Sequence, residues 1–506
     1  MRGVVAAGHP VTAEAGADVL RSGGNAVDAA VACVLMSFVA ESPLTGPGAG
    51  GFMVVHAGGE SHLLDFFVAA PGLGLDGREP AALVPIDVRF SEDAVQRFNV
   101  GPASCGAYGT TLGLTETLRR FGTASIGELT AAPTRAARDG IEVVPMQAFL
   151  FRVLEPILMS TPECAAIYAP EGRLLAEGDT IRLPELGDLL DRLGAEGCGF
   201  LYKGDVAHAV RDWVLERGGM LSRDDLAAYE VIEREPARVT YQGREVITNP
   251  PPSSGGILIA DALGILERLQ RPHDPYVIAE VIASTNRARD EEFLEGHATE
   301  GFLEQFLAKH ALDSVATEVR SRLGNTTHVS VMDAEGACAS VTCSNGSCSG
   351  VVVPGTGVHV NNMLGEQDLN PLGFHRHTPG SRVPSMMAPT VVLSDGRPEI
   401  AIGSAGSNRI RSAIIQTVLG VVDHELPAQE AVAAPRLHVE DGQVDAEPGV
   451  DEGALDRLEQ TGWTVRRWSE LNLFFGGVQA VARNPGTGRL TGGGDPRRGG
   501  VATVVG

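Results

Sequence analysis

The 506-residue chain contains few positive charges and almost no lysine. Only Lys203 and Lys309 are lysines, and 40 basic residues stand against 64 acidic ones, which gives a formal net charge of −24. Such an excess of negative charge repels the phosphate backbone of nucleic acids and the surface of anionic membranes. We therefore expect neither nucleic acid nor membrane as a partner.

Long apolar runs are also missing. The longest one, about Ala29 to Ala40, stops at Glu41 and is too short to span a bilayer. Residues 1–10 lack the apolar core of a signal peptide. We therefore expect a cytoplasmic protein, in which the apolar run forms a buried helix that begins after Asn25 as its N-cap.

No Ser/Gly tract, charge block or internal repeat divides the chain, and 43% of its residues are hydrophobic. This composition predicts one large compact unit of two closely packed parts. The seven cysteines are an odd number without an export signal, so we expect free thiols. Cys338, Cys343 and Cys348 are close in sequence but lack the Cys-x-x-Cys spacing of zinc sites, so no metal is predicted.

Periodicity predicts helices and strands in different parts of the chain. Two helices are expected in residues 12–40, a hairpin in 51–66 and mainly helices in 110–320. Strands and turns dominate after residue 326, followed by a helix over Arg409–Val421. Helices on both sides of a strand-rich centre are typical of a layered α/β unit.

The candidate nucleophile is Thr326, in the run Gly324-Asn325-Thr326-Thr327-His328 at the head of an alternating stretch. A threonine hydroxyl needs a base beside it, and the α-amino group of the same residue can be that base. That amine exists only if the bond between Asn325 and Thr326 is cut. The spacing alone is equally typical of β-branched residues that fill a strand start.

The segment Thr326-Thr327-His328-Val329-Ser330-Val331 resembles the processing site of the gamma-glutamyltranspeptidase family. Other segments match that family in the same order along most of the chain: Gly24–Ala30, Gly46–Phe52, Asp65-Phe66, Asn249–Gly256, Asn361-Asn362, Pro389-Thr390 and Gly403–Gly406 followed by Arg409-Ile410.

This resemblance implies the four-layer αββα fold of the N-terminal nucleophile hydrolases. It also implies self-cleavage into a large subunit, residues 1–325, and a small subunit, residues 326–506, that stay together and act on a small molecule without a cofactor. Whether the cleaved heterodimer forms a homo-oligomer stays open. The family's second hydroxyl falls on Ser344, which is otherwise a turn serine. Its oxyanion-binding Gly-Gly pair falls on Gly406 and Ser407.

His328 is an alternative base two residues from Thr326. The family uses the terminal amine, so we interpret His328 as structural.

The residues that would bind a γ-glutamyl group depart from the family pattern. Phe67 replaces the arginine that binds the α-carboxylate, and Ser385-Met386 replaces a Ser-Ser pair. The ammonium-binding glutamine and aspartate become Met363 and Glu366. The family's asparagine falls on Gly346, although Asn345 is adjacent. An aromatic ring cannot neutralise a carboxylate, so we expect poor turnover of glutathione.

Three functions remain open at this stage. The first is an amide hydrolase or acyltransferase that acts on a less polar acyl group. The second is a hydrolase of carbon–carbon bonds, as in gamma-glutamyltranspeptidase-like enzymes of alkyl-proline natural-product pathways. The third is an uncleaved, non-catalytic binding protein.

Overall fold

The computed structural model describes residues 1–89, 95–269, 273–289, 293, 302–310 and 326–506. Strands occur in every long part of this range. They are β1 (Gly3–Ala7), β2 (Gly50–Ala57), β3 (Glu60–Phe66), β4 (Val84–Arg89), β5 (Val95–Val100), β6 (Ile141–Glu142), β7 (Thr180–Ile181), β8 (Ile232–Arg234), β9 (Ala237–Tyr241), β10 (Arg244–Thr248), β11 (Thr327–Asp333), β12 (Cys338–Ser344), β13 (Val352–Val353), β14 (Val358–His359), β15 (Thr390–Ser394), β16 (Arg397–Ala405), β17 (Leu437–Glu440), β18 (Gln443–Ala446), β19 (Thr464–Arg467), β20 (Gly477–Arg483), β21 (Leu490–Gly494) and β22 (Val501–Val505).

The α-helices of the described residues lie mostly between the strands of the first half and after β16. They are α1 (Pro10–Arg21), α2 (Ala26–Ala40), α3 (Thr110–Phe121), α4 (Ile126–Asp139), α5 (Pro145–Leu158), α6 (Pro162–Tyr168), α7 (Pro184–Glu196), α8 (Asp205–Glu216), α9 (Arg223–Ala227), α10 (Ser254–Leu269), α11 (Pro275–Arg287), α12 (Phe302–His310), α13 (Arg409–Val422), α14 (Ala428–Ala433) and α15 (Glu452–Gln460). Among them we find none long and apolar enough to cross a bilayer.

Two antiparallel sheets form the centre of the described chain. The first has the strand order β22-β1-β11-β12-β2-β3-β8, and the second has the order β21-β20-β16-β15-β10-β9. Each strand alternates its side chains between two faces, so each sheet buries one face against the other sheet and one face under helices. The strands β11 and β12 lie at the middle of the first sheet, where they face β16 of the second.

Three hydrophobic layers hold these elements together. Between the sheets, side chains from β1, β2 and β11 meet side chains from β15, β16 and β20. Helices α1 and α2 cover the outer face of the first sheet, and α10, α11 and α13 cover the second. The order helix, sheet, sheet, helix is the four-layer αββα arrangement implied by the family resemblance.

Helix α2 confirms the predicted buried helix. The Asn25 side chain accepts hydrogen bonds from the backbone N–H groups of Val27 and Asp28, and the Asp28 carboxylate accepts one from the N–H of Asn25, which completes a capping box. Every residue of α2 is buried. The two helices predicted in residues 12–40, the hairpin predicted in residues 51–66 and the helix predicted over Arg409–Val421 are confirmed as well, as α1 and α2, as β2 and β3, and as α13.

The sequence patterns missed some strands of the two sheets. β8, β9 and β10 lie inside residues 110–320, where mainly helices were predicted, and β1 and the strands after residue 476 were not predicted. These strands are short, and they pair with partners far away in sequence, so local periodicity identifies them poorly.

Candidate active site

Thr326 immediately precedes β11 at one end of the two-sheet core. It is 6% exposed, and Nη1 of Arg498 donates a hydrogen bond of 3.0 Å to its carbonyl oxygen. The hydroxyl of the next residue, Thr327, donates to a carboxylate oxygen of Glu41. The candidate nucleophile is therefore fixed through its own carbonyl and through its neighbour. Asn325, the other half of the predicted cleavage site, lies outside the described residues.

Thr326 lines a pocket that we call the front pocket. It contains eight of the site residues that the sequence predicted, together with five others. Its lining is Phe67, Thr326, Ser344, Gly346, Met363, Glu366, Asp368, Leu369, Ser385, Met386, Met387, Ser407 and Ile410. Residues up to 343 positions apart in sequence, Phe67 and Ile410, thus line the same pocket as Thr326.

Ser344 ends β12, beside the strand that Thr326 precedes. In the antiparallel register Thr327 faces Cys343, so Thr326 and Ser344 lie at the same end of this strand pair. The Ser344 hydroxyl accepts a hydrogen bond of 2.8 Å from the N–H of Gly346. The same hydroxyl therefore stabilises the Ser-Asn-Gly turn and lines the front pocket.

Asn345 lies outside the lining of the front pocket. Its backbone N–H donates to the carbonyl of Leu44 at 2.8 Å, and its buried side chain lies next to Gly46. The neighbouring Gly346 has φ of +72°, and a Cβ there would come within 2.0 Å of Asn362 Oδ1. The structure thus leaves no room at position 346 for the asparagine of the family pattern.

Gly406 and Ser407 form the turn between β16 and α13. Gly406 has φ of +123°, and Ser407 has φ of +50°, a left-handed conformation that is uncommon for a residue with a side chain. Within the described residues, we find no hydrogen bond donated by either backbone N–H group. Both groups lie at the N-terminal end of a 14-residue helix, where the helix dipole favours negative charge. Such a turn can stabilise the oxyanion of a tetrahedral intermediate.

Phe67 gives the front pocket an aromatic wall. The ring is fully buried and stacks on Phe52 with a centroid distance of 5.3 Å. The nearby carboxylate of Asp65 forms ion pairs with Arg234 at 2.6 Å and Arg382 at 3.2 Å. Among the described residues, no lysine or arginine lines the front pocket, so it offers no cation for a substrate carboxylate.

Glu366 is an acidic residue of the front pocket, and its charge changes with pH around neutrality. Burial raises its pKa to about 7, although the N–H of Ser347 donates to its carboxylate at 2.8 Å and opposes the shift. Glu366 is therefore about half protonated at neutral pH. It offers an incomplete negative charge to a substrate ammonium group.

His328 lies between the two sheets, away from the front pocket. Nδ1 is 2.8 Å from the Thr342 hydroxyl and Nε2 is 2.9 Å from the Ser330 hydroxyl, while the ring packs against Gly403. Burial lowers its pKa to about 3, so the ring is neutral. Both ring nitrogens are already engaged, which supports a structural role.

A second pocket shares Thr326 in its lining with the front pocket, and we call it the rear pocket. Glu41 and Arg498 form its polar end beside Thr327 and Thr326. Burial raises the pKa of Glu41, and the hydroxyls of Thr327 and Thr12 and the charge of Arg498 oppose that shift. The sequence analysis missed both residues, because neither belongs to a local motif that points to Thr326.

The seven cysteines are buried and unpaired. Burial raises the pKa of Cys338, Cys343 and Cys348, which keeps these thiols protonated. In the part of the chain that the structure describes, no group of three or more His, Cys, Asp or Glu side chains is arranged to hold a metal ion.

Comparisons with known proteins agree with this geometry. A family model described as Gamma-glutamyltranspeptidase matches residues 12–505. The Acylase ACY 1 proenzyme of Pseudomonas sp. (strain SE83) is 32% identical over 97% of this chain and 91% of its own length. The Glutathione hydrolase proenzyme of Bacillus subtilis (strain 168) is 30% identical over 99% of this chain and 91% of its own. The crystal structure of cephalosporin acylase from Bacillus halodurans shares the fold, with a TM-score of 0.83 at 24% identity, over 99% of this chain and 95% of that one.

Proposed function

Because the chain belongs to the gamma-glutamyltranspeptidase family of N-terminal nucleophile hydrolases and is an enzyme of that family, we propose that it is an acylase that cleaves itself before Thr326. Its acyl group is less polar than γ-glutamyl. The observation that carries this proposal is the front pocket, which combines Thr326, Ser344 and the Gly406-Ser407 turn with an apolar wall of Phe67, Met363 and Met386.

Self-cleavage proceeds in two steps under this proposal. The Thr326 hydroxyl attacks the carbonyl carbon of Asn325, the C–N bond breaks, and the α-amino group of Thr326 takes the proton. Water then hydrolyses the resulting ester, which releases residues 1–325 as the large subunit and 326–506 as the small one. The two sheets support subunits that stay together, because β1 and β2 of the first piece pair with β11 and β12 of the second.

Turnover uses the same hydroxyl. The freed amine, with an ordinary pKa of about 8, accepts the hydroxyl proton as oxygen attacks the substrate carbonyl. Developing negative charge on that oxygen is stabilised by the backbone N–H groups of Gly406 and Ser407. The amine part of the substrate takes this proton from the α-amino group of Thr326 and leaves. Water or an acceptor amine then attacks the ester on Thr326.

Denaturing gels test the self-cleavage. Wild type should migrate as fragments of about 34 and 19 kDa, the shares of the 53.0 kDa chain before and after the cut, and the smaller fragment should begin Thr-Thr-His-Val. Thr326→Ala should remain full-length because alanine lacks the attacking hydroxyl, whereas Thr326→Ser should still cleave. A single full-length band from wild type would favour the non-catalytic binding protein.

A substrate screen tests the acyl class. It compares γ-glutamyl anilide with anilides of uncharged acyl groups and with enol diacids that contain a carbon–carbon scissile bond. We expect the uncharged acyl anilides to give the highest kcat/KM. Preference for the enol diacids would replace this proposal by the carbon–carbon hydrolase.

The double variant Phe67→Arg with Met386→Ser tests which residues exclude γ-glutamyl groups. It restores a cation and a hydroxyl at the aligned positions, so kcat/KM for γ-glutamyl anilide should rise while that for uncharged acyl groups falls. Met386→Ser alone is the control and should change little. Glutathione turnover by wild type at a kcat/KM of about 10⁴ M⁻¹s⁻¹ or more would contradict the apolar-pocket argument. In that case another cation would bind the carboxylate of glutathione. One such cation is Arg289, which donates a hydrogen bond of 2.9 Å to the carbonyl of Asp368 in the front pocket.

A further inference from the structure

The rear pocket contains two buried polar atoms that the protein leaves unsatisfied. His9 is 3% exposed and Gln147 is 4% exposed, and both line the rear pocket with Thr326. Neither Nε2 of His9 nor Oε1 of Gln147 has a hydrogen-bond partner among the described residues. Leaving a buried polar atom without a partner destabilises the fold, so two such atoms at one pocket indicate a bound group that would satisfy them.

The second polar atom of each side chain is hydrogen-bonded, and this bond determines whether the free atom is a donor or an acceptor. His9 Nδ1 accepts a hydrogen bond of 3.2 Å from the N–H of Val11, as the N-cap of α1, so the proton of the neutral ring is on Nε2. Gln147 Nε2 donates to the Ala40 carbonyl at 3.0 Å, which leaves Oε1 as the free acceptor of a residue that lines the rear pocket. The pocket therefore presents one fixed donor and one fixed acceptor.

The rest of the rear pocket is apolar on the side of α5. Met146, Leu150 and Phe151 line it there, and the opposite polar end is engaged, since Glu41 accepts from Thr327 and Arg498 donates to Thr326. An apolar wall with a few placed polar groups is the usual composition of a small-molecule site.

The position of Thr326 relates this pocket to the reaction. Of the described residues, Thr326 alone lines both the front and the rear pocket. In acyl transfer the acyl group and the amine lie on opposite sides of the carbonyl that the nucleophile attacks. The front pocket contains Ser407 of the oxyanion turn and the residues that align with the family's acyl-binding site. The acyl group would therefore bind in the front pocket and the amine part of the substrate in the rear pocket.

We propose that the rear pocket binds the amine half of the substrate and recognises a carboxamide on it, with His9 donating to the amide oxygen and Gln147 accepting from the amide N–H. The substrate class is then an N-acyl amine whose amine half carries a peptide-like amide and an apolar substituent that packs on α5. This inference rests on the proposed acylase function.

The kinetic test compares two substrates that share one acyl group from the screen. One has phenylalaninamide as its amine half, and the other has phenethylamine, which lacks only the carboxamide. His9→Asn keeps an N-cap acceptor for Val11 but withdraws the Nε2 donor, and Gln147→Met withdraws the acceptor. Each variant should lower kcat/KM for the phenylalaninamide substrate about three- to tenfold, the loss of one neutral hydrogen bond, and change the phenethylamine substrate less than twofold.

Met146→Ala is the matched control. This substitution removes only apolar contacts of the rear pocket, so it should lower kcat/KM for both substrates by the same factor. Equal losses for both substrates in the His9 and Gln147 variants would indicate a structural role and overturn the inference. Unchanged kcat/KM for the phenylalaninamide substrate would overturn it as well.

A binding measurement separates this inference from the proposed function. Isothermal titration of processed wild type should show phenylalaninamide binding about tenfold or more tighter than phenethylamine, and His9→Asn should reduce that preference. Preferred binding without any amide turnover would refute the acylase proposal and leave the carboxamide site supported. Turnover of both substrates with no difference in binding would leave the acylase supported and refute the carboxamide site.

Discussion

Replacing Glu366 by glutamine should make the protein more stable at neutral and alkaline pH. The folded carboxyl keeps its proton up to a pKa of about 7 because burial penalises its charge, whereas its ordinary value is 4.5. Between these values the folded state binds more protons than the unfolded state. Stability contributed by this group therefore falls as pH rises from 4.5 through 7 and is not regained above 7.

The size of the effect follows from the two pKa values. The interval between 4.5 and about 7 corresponds to about 3 kcal/mol at 1.36 kcal/mol per pH unit. With an unfolding entropy of about 2.1 cal/mol/K per residue over 506 residues, 3 kcal/mol shifts Tm by about 3 °C. Glutamine can still accept from the N–H of Ser347 but has no charge, so it removes only the pH-dependent penalty.

Differential scanning calorimetry at pH 4 and pH 8 measures this shift. Both proteins should contain Thr326→Ala, so that a single uncut chain unfolds. The Tm of Glu366→Gln relative to Glu366 should rise by about 3 °C between pH 4 and pH 8. Glu142→Gln, at an exposed glutamate, is the control and should show no such difference. The same Tm difference between the two proteins at pH 4 and at pH 8 would refute the raised pKa of Glu366 in the folded state. This result would also restore Glu366 as a full counter-ion for a γ-glutamyl ammonium group.

Substitutions at two further positions test the oxyanion turn and the histidine. Ser407→Gly should retain activity, because glycine adopts a φ of +50° easily, whereas Ser407→Val should lower kcat about 10²–10³-fold by moving one backbone donor. Equal kcat for Ser407→Val and wild type, with both proteins folded by circular dichroism, would exclude the turn from catalysis. His328→Gln should lower Tm, because it disturbs the hydrogen bonds to Thr342 and Ser330, yet retain self-cleavage and most of kcat. A kcat loss as deep as that of Thr326→Ala, with normal cleavage and folding, would transfer the role of base to His328.

The sequence by itself determined the identity of the candidate nucleophile and the elements around it. Thr326 at a strand start, the capped helix after Asn25 and the hairpin around Gly58-Gly59 depend on turn residues, caps and alternation within a few positions. Motif order then aligned Ser344 and the Gly406-Ser407 turn with a known family, which local patterns could not have done.

Only the tertiary structure decided which side chains meet. Asn345 is adjacent to Gly346, the position that aligns with the family's substrate-binding asparagine, but the turn after β12 places the Asn345 side chain next to Gly46 and outside the front pocket. Glu41 and His9 reach the region of Thr326 because β1 pairs with β11, a contact between residues more than 300 positions apart. The charge of Glu366 likewise depends on the burial of its carboxyl group in the folded chain. Such long-range packing and desolvation are properties of the assembled layers, and no short segment of the sequence contains them.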